Sequence, residues 1–146
     1  MDYKTRQASD LDEEWLYDLY CTTMRTYIEK TWGWDETFQK NGFRTNLCPT
    51  KFNIVVVGDE DVGAYLMNEE PDHYWLEMML IDPMWQRKGL GSNIIRGLQV
   101  SADQNDRLLK LSVIKVNPVK DFYTRLGFEV YEEDQHFYKL IMKNAR

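Results

Sequence analysis

The sequence predicts an α/β fold built on a mixed, mainly antiparallel sheet of six to seven strands, with helices on both faces. Three consecutive strand-like segments, 52–57, 62–68 and 74–81, are separated by short turns and therefore form an antiparallel meander. A strand–helix–strand passage then runs from residue 74 to residue 114. Such a passage implies a right-handed crossover and a parallel strand pair at the centre of the sheet.

The N-terminal third is predicted to be mainly helical. A short edge strand is expected at 3–7, and Asp10–Glu13 is typical of a capping box at a helix start. Helical spacing after that point predicts an amphipathic first helix through Leu16, Leu19, Tyr20, Thr23 and Tyr27. Residues 32–36 interrupt it, a second helix is predicted at 35–47, and Cys48–Pro49 ends this region.

The C-terminal half alternates strands and helices. A helix is predicted at 89–104, and Asn117 is expected to cap a later helix that has Pro118 at its first position and ends at Gly127. The remaining strands are predicted at 108–114, 128–132 and 137–142.

Length and composition predict one domain over residues 1–146. The formal charge of −6 argues against a nucleic-acid surface and mildly favours a cationic substrate. No apolar run is long enough for a membrane span and no signal peptide is recognised, so a cytoplasmic protein without a membrane partner is expected. Cys21 and Cys48 lack the spacing of a metal site, and no metal is expected.

The most informative segment is Gln86–Gly91, which lies between a predicted strand and a predicted helix. A glycine-rich turn at a helix start leaves several backbone N–H groups unpaired at the positive end of the helix dipole. Such a turn predicts a ligand that carries phosphate or pyrophosphate. Arg87 and Lys88 form a basic cluster against the acidic background, which is consistent with an anion site.

Three phosphate motifs compete for this segment. A P-loop requires Gly-Lys-Ser/Thr, but Lys88 precedes Gly89. A dinucleotide fingerprint requires a third glycine where Ile94 stands. The pattern Gln/Arg-x-x-Gly-x-Gly/Ala is filled by Gln86, Gly89 and Gly91. This last pattern resembles the acetyl-CoA pyrophosphate motif of the GNAT N-acetyltransferase superfamily.

A second segment strengthens that resemblance. Residues 116–128 are similar to the second GNAT signature, an asparagine-led helix that ends in Tyr-x-x-Leu-Gly-Phe, about 30 residues after the glycine turn. The resemblance covers roughly residues 74–132. It implies that the parallel strands 74–81 and 108–114 splay apart and that the co-substrate acetyl-CoA enters the gap, where its pantetheine pairs with strand backbone.

The resemblance also implies which residues contact acetyl-CoA. Backbone groups of the central strand would hold the pantetheine, the glycine turn would hold the pyrophosphate, and the second signature would supply further contacts. The implied cofactor-binding residues are Met79, Leu80, Ile81, Gln86, Arg87, Lys88, Gly89, Leu90, Gly91, Ser92, Asn117 and Tyr123.

Acetyl transfer to an amine requires a base, because an alkyl ammonium with a pKa near 10.4 costs about 4–5 kcal/mol to deprotonate at pH 7. Glu77 lies in the middle of the apolar segment 75–80. Burial of a carboxylate there would be costly unless it is paired, solvated or used, and would make it a stronger base. The alternatives are that Glu77 faces water or pairs with a sheet neighbour. In the family a glutamate on this strand often acts as the general base, either directly or through a water molecule.

Tyr123 lies on the helix of the second signature. The resemblance implies that it is the acid that protonates the departing CoA thiolate. Its neighbours at helical spacing leave a second interpretation, in which Tyr123 is simply part of the core. Asn117 resembles the asparagine that contacts the pantetheine arm in the family, and a capping role is compatible with that contact.

The segment between the first two helices is where GNAT proteins place substrate-recognition structure. Trp32 and Trp34, followed by Asp35 and Glu36, form either a lid with an ammonium-binding wall or ordinary packing with a helix start. His73 and His136 are expected to be exposed, and Cys21 to be core rather than a nucleophile.

The combined prediction is an acetyl-CoA-dependent N-acetyltransferase that works by direct attack, with Glu77 as the general base and Tyr123 as the general acid. The acceptor is a primary amine of a small molecule, a protein or a peptide, since the fold does not fix the substrate. A non-catalytic acyl-CoA sensor and a nucleotide enzyme are the alternatives. Dimerisation is common in the family, so a homodimer is among the expectations.

Overall fold

The computed structural model describes residues 2–142. Its helices and strands, in chain order, are β1 (Lys4–Gln7), α1 (Glu13–Trp32), α2 (Glu36–Gly42), β2 (Asn53–Val57), β3 (Glu60–Glu69), β4 (His73–Ile81), α3 (Leu90–Gln104), β5 (Leu108–Ile114), α4 (Lys120–Arg125), β6 (Glu129–Glu133) and β7 (Phe137–Met142). Single 3₁₀ turns lie at Asp10–Asp12, Pro49–Lys51 and Pro83–Trp85, and Phe43–Leu47 is π-helical. No helix of the described residues is long and apolar enough to cross a bilayer.

The seven strands form one sheet in the order β1-β2-β3-β4-β5-β7-β6. The pairs β1–β2, β2–β3, β5–β7 and β6–β7 are antiparallel. The pair β4–β5 is parallel, and its register joins His73–Leu76 to Leu108–Leu111. The predicted mixed, mainly antiparallel sheet with a central parallel pair is therefore confirmed.

The chain divides into two compact units, and the three divisions fall within β3, near the middle of β4 and after the first residue of α3. The first unit contains the residues up to Leu66 together with Met78–Leu90, and the second contains Met67–Glu77 and the residues from Gly91 onward. Each unit has its own buried apolar side chains.

An aromatic cluster forms the centre of the first unit. The ring of Phe43, which is 3% exposed, lies 5.4 Å from Tyr17, 5.0 Å from Tyr20 and 6.0 Å from Phe52, measured between ring centroids. Aromatic pairs at such separations add about 0.5–1.5 kcal/mol each beyond the area that they bury. The cluster thus holds the π-helical segment against α1 and against the residue that precedes β2.

The start of α1 differs slightly from the prediction. The capping box belongs to the 3₁₀ turn Asp10–Asp12 that leads into α1: the Ser9 hydroxyl accepts from the Leu11 amide and the Asp12 carboxylate accepts from the Ser9 amide at 2.9 Å. Asp12 is the N-cap of α1 itself and makes no side-chain cap hydrogen bond there. The Arg6 guanidinium donates to the Asp12 carboxylate at 2.9 Å and so ties β1 to this helix start.

The second helix also differs from the predicted 35–47. Asp35 is its N-cap, with the carboxylate accepting from the Phe38 amide at 2.8 Å, but the α-helix ends at Gly42. The Thr45 hydroxyl donates to the Asn41 carbonyl, which in a regular α-helix accepts from the amide of residue 45. The Thr45 hydroxyl thus competes with the Thr45 amide for the Asn41 carbonyl. The helix changes here to a wider π-helical turn, which ends at Cys48 with φ 49°.

The second unit has its core on one face of its strands and on α3. Buried side chains include Tyr74, Leu76, Ile94, Ile95, Ala102, Leu109, Leu111, Val113 and Leu140. The strand β6 lies at the edge of the sheet and all five of its residues are exposed. Two of its glutamates form ion pairs, Glu132 with Lys139 at 2.9 Å and Glu133 with Lys115 at 2.7 Å.

The predicted cap of α4 is wrong. The helix begins at Lys120 with Val119 as its N-cap, and no side chain caps it. Asn117 instead closes a turn before the helix, since its side-chain carbonyl accepts from the Val119 amide at 3.1 Å. Gly127 follows the end of this helix as predicted, and its amide donates to the Thr124 carbonyl at 3.1 Å.

The close packing around Gly63 in the first unit can be tested by substitution. A Cβ added there would lie 2.6 Å from the Leu80 carbonyl oxygen, so backbone would have to move. We expect Gly63→Ala to lower the free energy of unfolding by about 1–3 kcal/mol in urea titrations. The control is Gly42→Ala, where the nearest atom would be 3.8 Å away in helical backbone and where a gain of about 0.5–1 kcal/mol is expected. Equal stability of the two variants would contradict this packing argument.

Candidate active site

The turn between β4 and α3 is held by hydrogen bonds within the first unit. The Asp82 amide donates to the Val62 carbonyl at 2.9 Å, and the Asp82 carboxylate accepts from the Met84 amide at 2.8 Å. The Gln86 side-chain amide donates to the Ile81 carbonyl at 2.9 Å. Gln86 therefore spans the turn and fixes its backbone.

Left-handed backbone occurs twice in this turn, at Arg87 (φ 62°) and at Gly89 (φ 85°). Glycine adopts this conformation without strain. Nothing lies within 4 Å of the position that a Cβ on Gly89 would occupy, so space is open beside the backbone at this point. Because α3 begins at Leu90, the unpaired amides of its first turn follow directly. This geometry fits an anionic group such as a pyrophosphate.

Basic side chains flank the turn. Arg87 and Lys88 are exposed, and the Lys88 ammonium lies 5.3 Å from the centroid of the Trp85 ring. The Trp85 indole in turn donates to the Glu60 carboxylate at 3.0 Å. Leu90 is 1% exposed and anchors the turn in apolar surroundings. The other two predicted contacts here, Gly91 and Ser92, are half-buried in the first turn of α3.

The predicted pantetheine contacts lie at the end of β4. Met79 and Ile81 are half-buried, and Leu80 is fully buried. The Leu80 side chain is therefore committed to the core, and only its backbone is suited to contact a ligand.

Glu77 does not have the environment that the sequence suggested. It is exposed in β4, whereas the sequence analysis considered it as a buried carboxylate. Its carboxylate accepts a hydrogen bond from the Trp75 indole at 2.7 Å. The two side chains stand on the same side of the strand, because residues two apart in a strand share a face. That spacing could have identified Trp75, which the sequence analysis missed.

Tyr123 is deeply buried in the second unit, with 6% of its surface exposed. Its ring packs edge-on against Phe122 at 5.0 Å and against Phe128 at 5.5 Å. Within residues 2–142 its hydroxyl has no hydrogen-bond partner, and burial raises its pKa. Asn117 is half-buried at the turn before α4.

The two tryptophans after α1 have different surroundings. The Trp34 indole donates to the Glu36 carboxylate at 2.7 Å, and the Arg25 guanidinium lies 5.0 Å from the Trp34 ring centroid. Hydrogen bonds from Trp34 and Tyr17 lower the pKa of Glu36. The ring and the carboxylate that could receive a substrate ammonium thus already have partners within the chain. Trp32 is half exposed.

A cleft of about 450 Å³ lies beside α2 in the first unit. It is lined by aromatic and amide-bearing residues together with one residue of β4: Tyr20, Phe38, Gln39, Asn41, Gly42, Phe43, Thr45, Asn46, Leu47 and Met78. Neither Trp32 nor Trp34 is among these residues. The sequence analysis missed this cleft because its wall follows the π-helical segment, and hydrophobic periodicity predicts an ordinary helix there.

Comparison with protein families gives a match over most of the chain. The model described as an acetyltransferase (GNAT) domain matches residues 22–142. Among curated proteins, no sequence matches.

Solved structures with the same fold are numerous. PaiA N-acetyltransferase from Thermoplasma acidophilum, in complex with coenzyme A, is similar with a TM-score of 0.76 at 16% identity, covering 98% of this chain and 99% of that one. The ribosomal-protein-S18-alanine N-acetyltransferase from Escherichia coli has a TM-score of 0.71 at 15% identity, over 99% and 96%. Arabidopsis thaliana Naa50, in complex with the bisubstrate analogue CoA-Ac-MVNAL, has a TM-score of 0.69 at 14% identity, over 98% and 99%.

Identities this low support the fold alone, whereas the family match covers the two motifs and most of the remaining chain. With the glycine turn at the start of α3 and the parallel pair β4–β5, this match shows that the chain belongs to the GNAT family and is an acetyl-CoA-dependent acetyltransferase.

Proposed function

We propose that this protein transfers the acetyl group of acetyl-CoA to a primary amine by direct attack. The observation that carries the proposal is the turn before α3, where Gly89 adopts φ 85° beside open space and the free amides of the helix follow. Two similar proteins, the S18-alanine N-acetyltransferase and Naa50, have names or ligands that indicate protein or peptide acceptors. An amine acceptor is consistent with both.

The pyrophosphate is assigned to the backbone amides of Gly89, Leu90, Gly91 and Ser92, since backbone donors at a helix start favour negative charge. Arg87 and Lys88 add positive charge from exposed positions. Backbone groups of Met79–Ile81 are assigned to the pantetheine arm, with Asn117 as a further contact.

Proton removal from the acceptor is assigned to Glu77. The Trp75 indole fixes the orientation of the Glu77 carboxylate through the 2.7 Å hydrogen bond and leaves the other oxygen to accept a proton, directly or through water. As the new N–C bond forms and the C–S bond breaks, the amine loses one proton to Glu77. Trp75 is thus a positioning residue.

Tyr123 is assigned to the leaving sulfur. Because burial raises its pKa, the hydroxyl stays protonated at neutral pH and can donate a hydrogen bond to the sulfur as negative charge develops there. Within residues 2–142 no other group uses this hydroxyl, so it is available to the thiolate that forms when the C–S bond breaks. The phenolate that is left when the sulfur takes this proton is reprotonated from solvent, and Glu77 releases to solvent the proton that it took, so both residues return to their starting forms.

A substitution at Gly89 tests the pyrophosphate site. We expect Gly89→Ala to weaken CoA binding at least tenfold in calorimetry, because a Cβ strains the left-handed backbone and fills the open space. Gly58→Ala is the matched control: Gly58 also has positive φ (63°) and open space, but it lies in the turn between β2 and β3. Similar losses of CoA affinity in both variants would rule out a specific role for Gly89.

Substitution of the base should affect turnover and leave binding intact. We expect Glu77→Gln to lower kcat about a hundredfold with an unchanged Kd for CoA, since general-base catalysis contributes roughly 10²–10⁴-fold. Trp75→Phe, which removes the N–H donor, should give a smaller fall. Glu69→Gln, at an exposed position in β3, is the control for the loss of one surface charge. Parent-like turnover of Glu77→Gln would refute the assignment.

Tyr123→Phe separates a catalytic hydroxyl from a core ring. The substitution keeps the packing against Phe122 and Phe128 and removes only the hydroxyl. We therefore expect the free energy of unfolding to stay equal or to rise slightly, while kcat falls at least tenfold. Unfolding in urea and steady-state release of CoA thiol measure the two effects. A stable variant with full activity would make Tyr123 a core residue only.

A further inference from the structure

We propose that Trp85 is a positioning residue for acetyl-CoA, because it holds the ammonium group of Lys88 beside the glycine turn, where that charge meets the pyrophosphate. The inference rests on the proposed acetyl transfer and deepens it, since it assigns a role to a residue outside the two motifs. It is drawn from a chain of contacts that runs from Glu60 through Trp85 to Lys88 within the first unit.

The Trp85 side chain is held by the sheet. Its indole N–H donates to the carboxylate of Glu60, the first residue of β3, at 3.0 Å. The Trp85 backbone is fixed as well, because its amide donates to the Asp82 carbonyl at 2.8 Å. Trp85 is half-buried, although all the other residues from Pro83 to Gly89 are exposed. The ring is thus a fixed surface beside the glycine turn.

The Lys88 side chain lies against this ring. Its ammonium is 5.3 Å from the ring centroid, which is within the distance of about 6 Å over which the face of an indole attracts a cation. In the part of the chain from residue 2 to residue 142, Lys88 forms no ion pair with a carboxylate. Its charge is therefore held in place and remains available to an anion.

Arg87, the other basic residue of the turn, is held less firmly. It is exposed, and no ion pair or ring contact restrains its side chain within residues 2–142. A long side chain that samples many rotamers loses entropy when a ligand orders it. Lys88 has lost part of that freedom already through its contact with Trp85. We therefore expect Trp85 to affect the contribution of Lys88 and not that of Arg87.

The backbone between the ring and the lysine is strained. Arg87 carries a Cβ, yet it adopts φ 62°, a left-handed conformation that is costly for such a residue. Strain of this kind persists where surrounding contacts impose it, and it concentrates at ligand sites. Two contacts enclose the strained residue: the Lys88 ammonium on the Trp85 ring, and the Gln86 side chain on the Ile81 carbonyl.

A double-mutant cycle tests whether Trp85 acts through Lys88, with the Kd for CoA measured by calorimetry. We expect Lys88→Met to weaken binding about tenfold, as for the loss of a charged contact to phosphate. Trp85→Leu should weaken it about threefold, in line with the strength of a cation–ring contact at an exposed site. In the Lys88→Met background, Trp85→Leu should cause no further loss, because the group that it positions is gone.

The same substitution in the Arg87→Met background is the matched control for this cycle. Because Trp85 does not contact Arg87 in the proposed arrangement, the threefold loss caused by Trp85→Leu should persist there. A threefold loss that is equally large in the presence and in the absence of Lys88 would overturn the inference.

Salt dependence separates positioning from a merely structural role of the ring. The effect of Trp85→Leu should nearly vanish when the salt concentration rises from about 0.05 M to about 0.5 M, because salt screens interactions between exposed charges. A ring that only supports the backbone of the turn would give a loss that persists at high salt. That outcome would also overturn the inference.

The choice of ligand identifies the phosphate group that Lys88 meets. Dephospho-CoA lacks the 3′-phosphate of CoA and keeps the pyrophosphate. We expect Trp85→Leu to weaken the binding of dephospho-CoA about threefold as well, because the assigned contact is to the pyrophosphate. A loss confined to CoA would place Lys88 at the 3′-phosphate and would refute this assignment.

Trp85→Phe provides a second cycle if the leucine variant does not fold. It keeps a ring beneath the ammonium and removes the N–H donor to Glu60, so its loss of CoA affinity should be smaller than that of Trp85→Leu. This loss, too, should disappear in the Lys88→Met background. A loss that remains there would contradict the positioning role.

Two further variants control for the kind of side chain that is removed. Lys40→Met removes an exposed lysine of α2 whose ammonium lies 5.9 Å from the centroid of the Tyr17 ring. Trp15→Leu removes a half-buried tryptophan of α1. Both should keep the CoA affinity of the parent, because neither lies near the glycine turn in the sequence. Unfolding in urea shows which variants are folded.

Calorimetry with the parent separates this inference from the proposed function. If the folded parent does not bind CoA, the proposed transfer fails and the role of Trp85 fails with it. A different result is that the parent binds CoA and Gly89→Ala weakens this binding, while the effects of Trp85→Leu and Lys88→Met simply multiply. In that case the pyrophosphate site stands and only the positioning role of Trp85 is wrong.

Discussion

The backbone of the turn between β4 and α3 is the constraint on which the candidate site depends. Free amides can face an anion only if the chain reverses at Gly89 and enters the helix at once. Asp82 and Gln86 hold the preceding backbone through hydrogen bonds to Met84 and Ile81. The charged side chains around the turn are exposed and add attraction, whereas the fixed amides provide the shape. Loss of these supports would affect binding without removing any group that touches the ligand.

The proposed acetyl transfer depends on the surroundings of Glu77 and Tyr123, the two residues assigned to carry protons. Glu77 is exposed and oriented by an indole, whereas Tyr123 is buried among aromatic rings and keeps its proton. The buried phenol suits a leaving group that acquires charge.

Local patterns in the sequence predict most of the fold and the phosphate turn. The strand at 108–114 and the glycine turn are specified by nearby residues, and the structure has the strand at those positions. Sequence patterns fail to predict the structure where it is determined by contacts between distant residues or by hydrogen bonds of side chains. The exposure of Glu77 depends on which face of β4 is covered, and the π-helical wall accompanies a hydroxyl of Thr45 that bonds the Asn41 carbonyl. Asn117 resembles a helix cap in sequence but closes the turn before the helix.

The edge strand β6 has a consequence for how this protein behaves at high concentration. Its unpaired backbone offers hydrogen bonds to any extended chain, including the same strand of another molecule. Every residue of β6 is exposed, and the ion pairs of Glu132 and Glu133 lie along it. Charged side chains on an edge strand oppose pairing with a second copy, because like charges would be brought opposite one another. The carboxylates of β6 thus disfavour growth of the sheet at this edge.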